Sequence, residues 1–135
     1  MAQNEVPRTV SAEEIVAAAG SSGVFSSITV EEVADDPRLV DIRLESPVGH
    51  TYLVMLREDL GEARVLFADY MFDDVPAHRL LRFVELLERG EVHLSFSKFG
   101  RHLVLQVPLP EGTWLDRRST ANGDLSDWAE GVLRR

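Results

Sequence analysis

Asp69, Asp73, Asp74 and His78 lie in one short stretch, and carboxylates beside an imidazole can hold a divalent cation or act as an acid–base pair. The same residues have a plainer use. Asp73 and Asp74 stand just ahead of a helical pattern, where aspartates cap the first turn and favour the positive end of the helix dipole. His78 then falls on that helix's polar side, so the cluster is read as capping rather than chemistry. The other histidines, His50, His93 and His102, do not converge. In a hairpin pairing 92–96 with 103–107, His93 and His102 stand four residues apart along the strands, beyond the reach of one metal ion.

Nucleophiles fare no better. The serines Ser21, Ser22, Ser26 and Ser27 sit in a loop without the strand–turn–helix frame of a nucleophile elbow. The glycines at 20 and 23 follow a helix instead of opening one, unlike a phosphate loop. The chain has no cysteine, which excludes disulfides, thiolate metal ligands and cysteine nucleophiles. No catalytic residue, cofactor or metal is assigned, and a non-enzymatic domain is expected.

Charge bears on partners. Acidic residues outnumber basic ones 23 to 14, for a formal charge of −9. Residues 1–74 hold 15 acids against 5 arginines, and residues 75–135 hold 8 acids against 9 bases. An excess of negative charge argues against generic binding to nucleic acid or anionic membranes. Lys98 and Arg101 flank Phe99 at a hairpin tip, with Arg117, Arg118, Arg134 and Arg135 nearer the end of the chain. These are read as ordinary loop charges, and no nucleic-acid or membrane partner is expected. The longest apolar runs, Ile15–Ala19 and Tyr52–Leu56, fall far short of the ~20 residues that span a bilayer. The first ten residues show no signal-peptide core, so a cytoplasmic protein is expected.

The elements that must position these residues follow from periodicity. With 135 residues, 44% of them hydrophobic, the chain suits one domain over 10–135 behind a disordered arm at 1–9. Ser11 and Glu14 have capping-box spacing and Val10 and Ile15 staple spacing, predicting a short helix that ends near Gly20. Ile28–Val33 is a weak strand and 39–46 an alternating one. A turn at 47–50 leads to a strand over Thr51–Arg57, and a third meander strand runs from Ala63 to about Met71. Tyr70, Met71 and Phe72 then turn into the long helix, whose stripe is Leu80, Phe83, Val84 and Leu87 and whose stop is Gly90. A hairpin pairs Val92, Leu94 and Phe96 with Val107, Leu105 and Leu103 and ends at Pro108 and Pro110. Residues 111–124 read as loop, and Leu125, Trp128, Ala129 and Val132 mark a last helix. The fold class is α+β: an antiparallel sheet of five to six strands (meander, helix, hairpin) with three helices packed on it.

Pairing 39–46 with 51–57 through the 47–50 turn sets Ile42 and Leu44 beside Met55 and Leu53. The reverse face then carries Tyr52, Val54, Leu56, Val65 and Phe67, more apolar surface than a solvated sheet face normally shows. These five, with Trp114 from the loop Gly112–Leu115, are the candidate partner-binding residues.

The order of these elements resembles that of type III secretion chaperones and the related YbjN-like domains. The segments carrying the similarity are the meander Val40–Leu44, Tyr52–Leu56 and Val65–Tyr70, the helix Pro76–Glu88, the hairpin ending in Pro108-Leu109-Pro110, and the closing amphipathic helix. The resemblance implies a homodimer without an active site that binds a partner chain on exposed sheet and helix surfaces. The functional expectation is a chaperone- or adaptor-like protein-binding domain. The alternative is an acidic immunity or inhibitor protein that blocks a basic enzyme or toxin; a small enzyme built on Asp69, Asp73 and His78 is the third reading.

Overall fold

The structure, a computed structural model, describes residues 10–33, 39–120 and 125–134, so the expected arm at 1–9 lies outside the described residues. The elements in chain order are α1 (Ala12–Ser22), β1 (Ser27–Glu32), β2 (Leu39–Glu45), β3 (Thr51–Arg57), β4 (Glu62–Phe67), β5 (Tyr70–Pro76), a 3-10 turn (Ala77–Arg79), α2 (Leu80–Arg89), β6 (His93–Phe96), a second 3-10 turn (Lys98–Gly100), β7 (His102–Leu109), β8 (Gly112–Ser119) and α3 (Asp127–Leu133). The fold is α+β, with an antiparallel sheet in the order β1-β2-β3-β4-β5 and a second antiparallel sheet β6-β7-β8. No helix among the described residues is long and apolar enough to cross a membrane.

The register of β2 on β3 decides which side of the sheet is core. Ser46 N–H donates to His50 O at 2.8 Å, leaving Pro47, Val48 and Gly49 as a three-residue loop with Gly49 at φ 94°. Such odd loops need a residue at positive φ, which glycine adopts without a Cβ clash. Ile42 therefore pairs with Val54 and Leu44 with Tyr52. The expected turn at 47–50 is one residue longer, and a one-residue slip moves every side chain to the other face. Tyr52, Val54, Leu56, Val65 and Phe67 are accordingly buried with Ile42 and Leu44, and Leu53 and Met55 point outward. The greasy second face expected from the sequence is this protein's own core.

The helices cover that core from one side. α1 starts as expected, with Ser11 Oγ accepting from Glu14 N–H and Val10 and Ile15 buried together, but runs two residues past Gly20. Leu80, Phe83, Val84 and Leu87 of α2 are buried, as the stripe predicts. On α3, Ser126 caps Ala129 N–H and Trp128, Ala129 and Val132 are buried.

Two strands depart from the expectation. Tyr70–Pro76 is a strand, not the corner of a helix, because Ala68 and Asp69 make a tight turn between β4 and β5. Ala68 has φ 53°, a conformation that no glycine or asparagine announces. Asp73 and Asp74 both lie opposite Arg64, since Val65 pairs with Phe72 and Ala63 with Val75. They form a β-bulge with Asp74 at φ 57°, and Asp73 pairs with Arg64. They cap nothing, and α2 begins only at Leu80.

The second such strand, β8, replaces the expected loop at 111–124; its inward positions alternate Trp114, Asp116 and Arg118, which masks it in the sequence. These side chains join the two sheets at β5: Trp114 Nε1–H donates to Asp73 O at 2.9 Å, Met71 N–H to Asp116 Oδ2 at 2.7 Å, and Arg118 pairs with Asp69 at 3.3 Å. The β6–β7 pairing ends at His93–Gln106, ahead of Pro108 as expected, but β7 itself does not end there. Pro108 continues β7 opposite Thr113, tolerated because β6 stops at His93 and leaves that part of β7 an edge on one side. The β6–β7 register itself, Leu94 with Leu105 and Phe96 with Leu103, is as predicted.

The face assignment is testable with two leucines of one strand. Leu56→Ala should cost about 2–5 kcal/mol of unfolding free energy, whereas Leu53→Ala should cost under about 1 kcal/mol. Equal losses in urea titrations would contradict the pairing of β2 with β3.

Candidate functional site

The six candidate partner-binding residues fall apart as a docking surface. Tyr52 and Phe67 stack at 4.7 Å between ring centres, and Trp128 meets Phe67 edge-on at 4.9 Å, so α3 closes over them. Trp114 is half-buried, meets Phe83 of α2 edge-to-face at 6.4 Å between ring centres and has its indole N–H bonded, which makes it a seam residue between the sheets. Nor does the acidic cluster assemble. Asp69 pairs with Arg118, Asp73 with Arg64, and His78 Nε2 lies 3.2 Å from Glu111, which also accepts from Arg79 Nε at 2.8 Å. The Arg79 hydrogen bond, chiefly, holds the Glu111 carboxyl below its ordinary value. Among the described residues no three His, Asp or Glu are grouped to hold a metal ion.

Apolar surface is exposed elsewhere, on the side of the sheet facing away from the helices. Phe72 and Trp114 both pack on Phe83 of α2, so their neighbours Met71 and Leu115 point the opposite way. Across the strands the outward row reads Arg43, Leu53, Leu66, Met71, and the next row reads Asp41, Met55, Arg64. Leu53, Met55, Met71 and Leu115 are each 40–47% exposed. A groove of about 280 Å³ runs between Asp41, Arg43, Leu53 and Met55. Leu115 is not placed by the sequence because β8 is masked there, and Met71 stands there at the end of the third meander strand instead of in β5; the three-residue loop with its glycine is the signal that places Leu53 and Met55.

A larger cleft, of about 900 Å³, opens where the β2–β3 loop, the β4–β5 turn and α3 meet. Phe67, Trp128 and Val132 give it an apolar lining, Glu88 and Asp127 an acidic one, and no lysine or arginine lines it. Glu88 stands near the C-terminal end of α2, where a carboxylate is disfavoured by the helix dipole. Two donors hold it there. Tyr52 O–H donates to Glu88 Oε1 at 2.7 Å, and His50 Nδ1 lies 3.0 Å from the same oxygen. Burial and the Glu88 carboxylate push the Tyr52 phenol far above its ordinary value. Such a histidine–carboxylate pair can move a proton, and of the two hydroxyl residues lining the cleft, Thr51 and Ser126, Ser126 is engaged in capping α3. The lining is apolar inside and acidic at its walls, which suits a group both apolar and cationic.

No protein-family model, curated protein or solved structure matches this chain.

Both tyrosines of the chain are buried, which makes them reporters. Tyr70 O–H has no hydrogen-bond partner among the described residues, and burial, partly offset by Arg118, pushes its pKa up to about 12. Tyr70→Phe should therefore leave stability unchanged or raise it by about 1 kcal/mol, whereas Tyr52→Phe should lower it by about 1.5–3 kcal/mol. The raised values also set a pH window. Below about pH 10 neither the folded nor the unfolded chain ionises its phenols, and the contribution is fully present. Above that, the unfolded chain ionises first and stability falls as pH rises through 12. Absorbance at the tyrosinate band should rise together with loss of circular dichroism; a rise near pH 10 with the fold intact would contradict the burial.

Proposed function

We propose that this chain is a non-enzymatic protein-binding domain of the chaperone or adaptor kind, which holds an apolar segment of a partner polypeptide across the outer face of its five-stranded sheet. The observation that carries the reading is the outward row Leu53, Leu66, Met71 with Met55 beside it. Contiguous apolar side chains on a sheet face that no element among the described residues covers are what a protein-docking surface requires. Arg43 and Asp41 on one flank and the Arg64–Asp73 pair on the other supply both signs of charge at its rim. A partner segment with apolar residues inside a mixed-charge frame fits that pattern. The resemblance read from the sequence, to type III secretion chaperones and YbjN-like domains, points the same way, with β5 and β8 as strands beyond the order on which it rests.

A second reading, an acidic inhibitor of a basic protein, is favoured by β1, whose exposed Glu31 and Glu32 lie beside Asp41 at the sheet edge. The two differ in salt dependence. Apolar docking is nearly indifferent to salt, whereas acidic-face docking weakens steeply because exposed charges are screened.

The test uses arrays of overlapping peptides probed with the purified chain. Peptides rich in apolar residues should bind, and Leu53→Glu with Met71→Glu should weaken that binding at least about tenfold, the worth of one modest hot spot, at unchanged thermal stability. Binding that the double substitution leaves intact refutes the outer face as the site.

A further inference from the structure

The β6–β7 connection carries a residue that the fold does not explain. Phe99 is 83% exposed and sits at φ 72°, ψ 5°, a left-handed conformation that glycine or asparagine adopts and an aromatic residue rarely does. The tip is not loose. Ser97 N–H donates to His102 O, Gly100 N–H to Ser97 O, and His102 N–H to Ser97 Oγ, all within 3.0 Å. Thr120, just past β8, braces it from the side, with Oγ1–H donating to Gly100 O at 2.7 Å and N–H to Arg101 O at 3.0 Å. The result is a rigid finger that presents one strained, exposed ring. Strained residues held by their surroundings gather at binding sites, and rigid aromatics anchor interfaces at small entropic cost.

The finger is also the positive end of a negative protein. Lys98 stands over the Phe99 ring at 5.4 Å, Arg101 follows, and no acidic residue occurs between Glu91 and Glu111. Arg117 and Arg118 lie on the strand beside its base. What it lacks is a receptor with an apolar lining and an acidic rim. This same chain offers one: the cleft of about 900 Å³ with Phe67, Trp128 and Val132 inside and Glu88 and Asp127 at its walls. The finger stands at the opposite end of β6 from its own cleft. Gly90 lines the cleft, and β6 carries the chain from there toward the tip, about 20 Å away at ~3.3 Å per residue.

We propose that the Phe99 finger of one copy seats in the acidic, aromatic cleft of a second copy, with Lys98 and Arg101 facing Glu88 and Asp127. Two such contacts made reciprocally close a two-fold dimer; a single contact repeated head to tail builds an open chain. The cleft borders the outer sheet face at Leu53 and Leu66, but substitutions at Lys98, Phe99, Arg101 and Asp127 leave the row Leu53, Leu66, Met71 unaltered, so self-association and partner binding are tested separately. One finger buries far less than the ~1,600 Å² of a standard interface, so the dissociation constant should be about micromolar or weaker.

Charge reversal tests it. In sedimentation velocity over a concentration series, the unaltered chain should associate, and added salt should weaken the association. Lys98→Glu with Arg101→Glu makes both finger and cleft acidic, and Asp127→Arg gives a basic finger facing a cleft whose Glu88 is offset by an added cation. Each variant alone should be monomeric, and the two mixed should associate again, because the basic finger of the Asp127→Arg chain then meets the unaltered acidic cleft of the other. Phe99→Asn should abolish association while raising the thermal midpoint by about 2–4 °C, since asparagine relieves the left-handed strain. A chain that stays monomeric at the highest attainable concentration overturns the proposal. So does association that survives Phe99→Asn, or a mixture of the two charge variants that fails to associate. A labelled single-stranded oligonucleotide that binds the monomeric chain through Lys98 and Arg101 would assign the finger to nucleic acid and equally overturn it.

Discussion

The closure of Ser46 on His50 over Pro47–Gly49 is the constraint from which the rest of the molecule follows. It sets β3 against β2 so that Tyr52, Val54 and Leu56 share a face with Val40, Ile42 and Leu44. β4 inherits that register and adds Ala63, Val65 and Phe67 to the same side. The buried face is then apolar through three strands, which is what α2 needs for its Leu80, Phe83, Val84 and Leu87 stripe. What remains on the other side is Leu53, Met55, Leu66 and Met71, a smaller apolar surface with charges around it. One loop residue more would exchange the two faces. The core and the proposed docking face are thus consequences of the same turn.

His50 ties this turn to the helices. Its ring meets Phe67 edge-on at 5.9 Å and its Nδ1 meets Glu88, the carboxylate that Tyr52 also holds. Trp128 completes the corner by donating its indole N–H to Leu87 O at 2.7 Å, a carbonyl in the last turn of α2 that also accepts from Gly90 N–H at 3.1 Å. Loop, sheet, α2 and α3 therefore meet around one carboxylate and three aromatic rings. The cleft that opens at this corner is acidic because Glu88 must be there to receive Tyr52 and His50. Structural need and surface charge have one cause.

Much of this architecture is readable from the residues. The α2 stripe, the Ser11 cap, the β6–β7 register and the apolar face of α3 rest on local rules, and each stands in the structure. The failures are of another kind. The β2–β3 register turns on whether His50 or Thr51 opens the returning strand, a difference of one residue that alternation alone does not decide. β5 is hidden by a turn with Ala68 at positive φ, and Asp73 and Asp74 have a local use as caps that tertiary pairing with Arg64 overrides. β8 is hidden because its inward side chains, Asp116 and Arg118, face β5 instead of an apolar core. The candidate site fails with the register: its five sheet residues do form one apolar set, and only the side they face differs.

Charge partition gives the chain its polarity. The acidic first half builds the five-stranded sheet, and ion pairs such as Arg64–Asp73 use part of that charge internally. The segment from Val92 to Pro110 carries lysine, arginine and histidines with no carboxylate, and it projects the tip at Phe99. A uniformly acidic molecule repels its own copies, whereas one with a concentrated positive end attracts them in a defined orientation. An aromatic ring placed at that end, in a backbone conformation that costs stability, adds short-range fit to long-range attraction. Selection for solubility alone would replace it with asparagine or glycine. Its presence on a well-braced turn is the strongest mark of use that this surface carries.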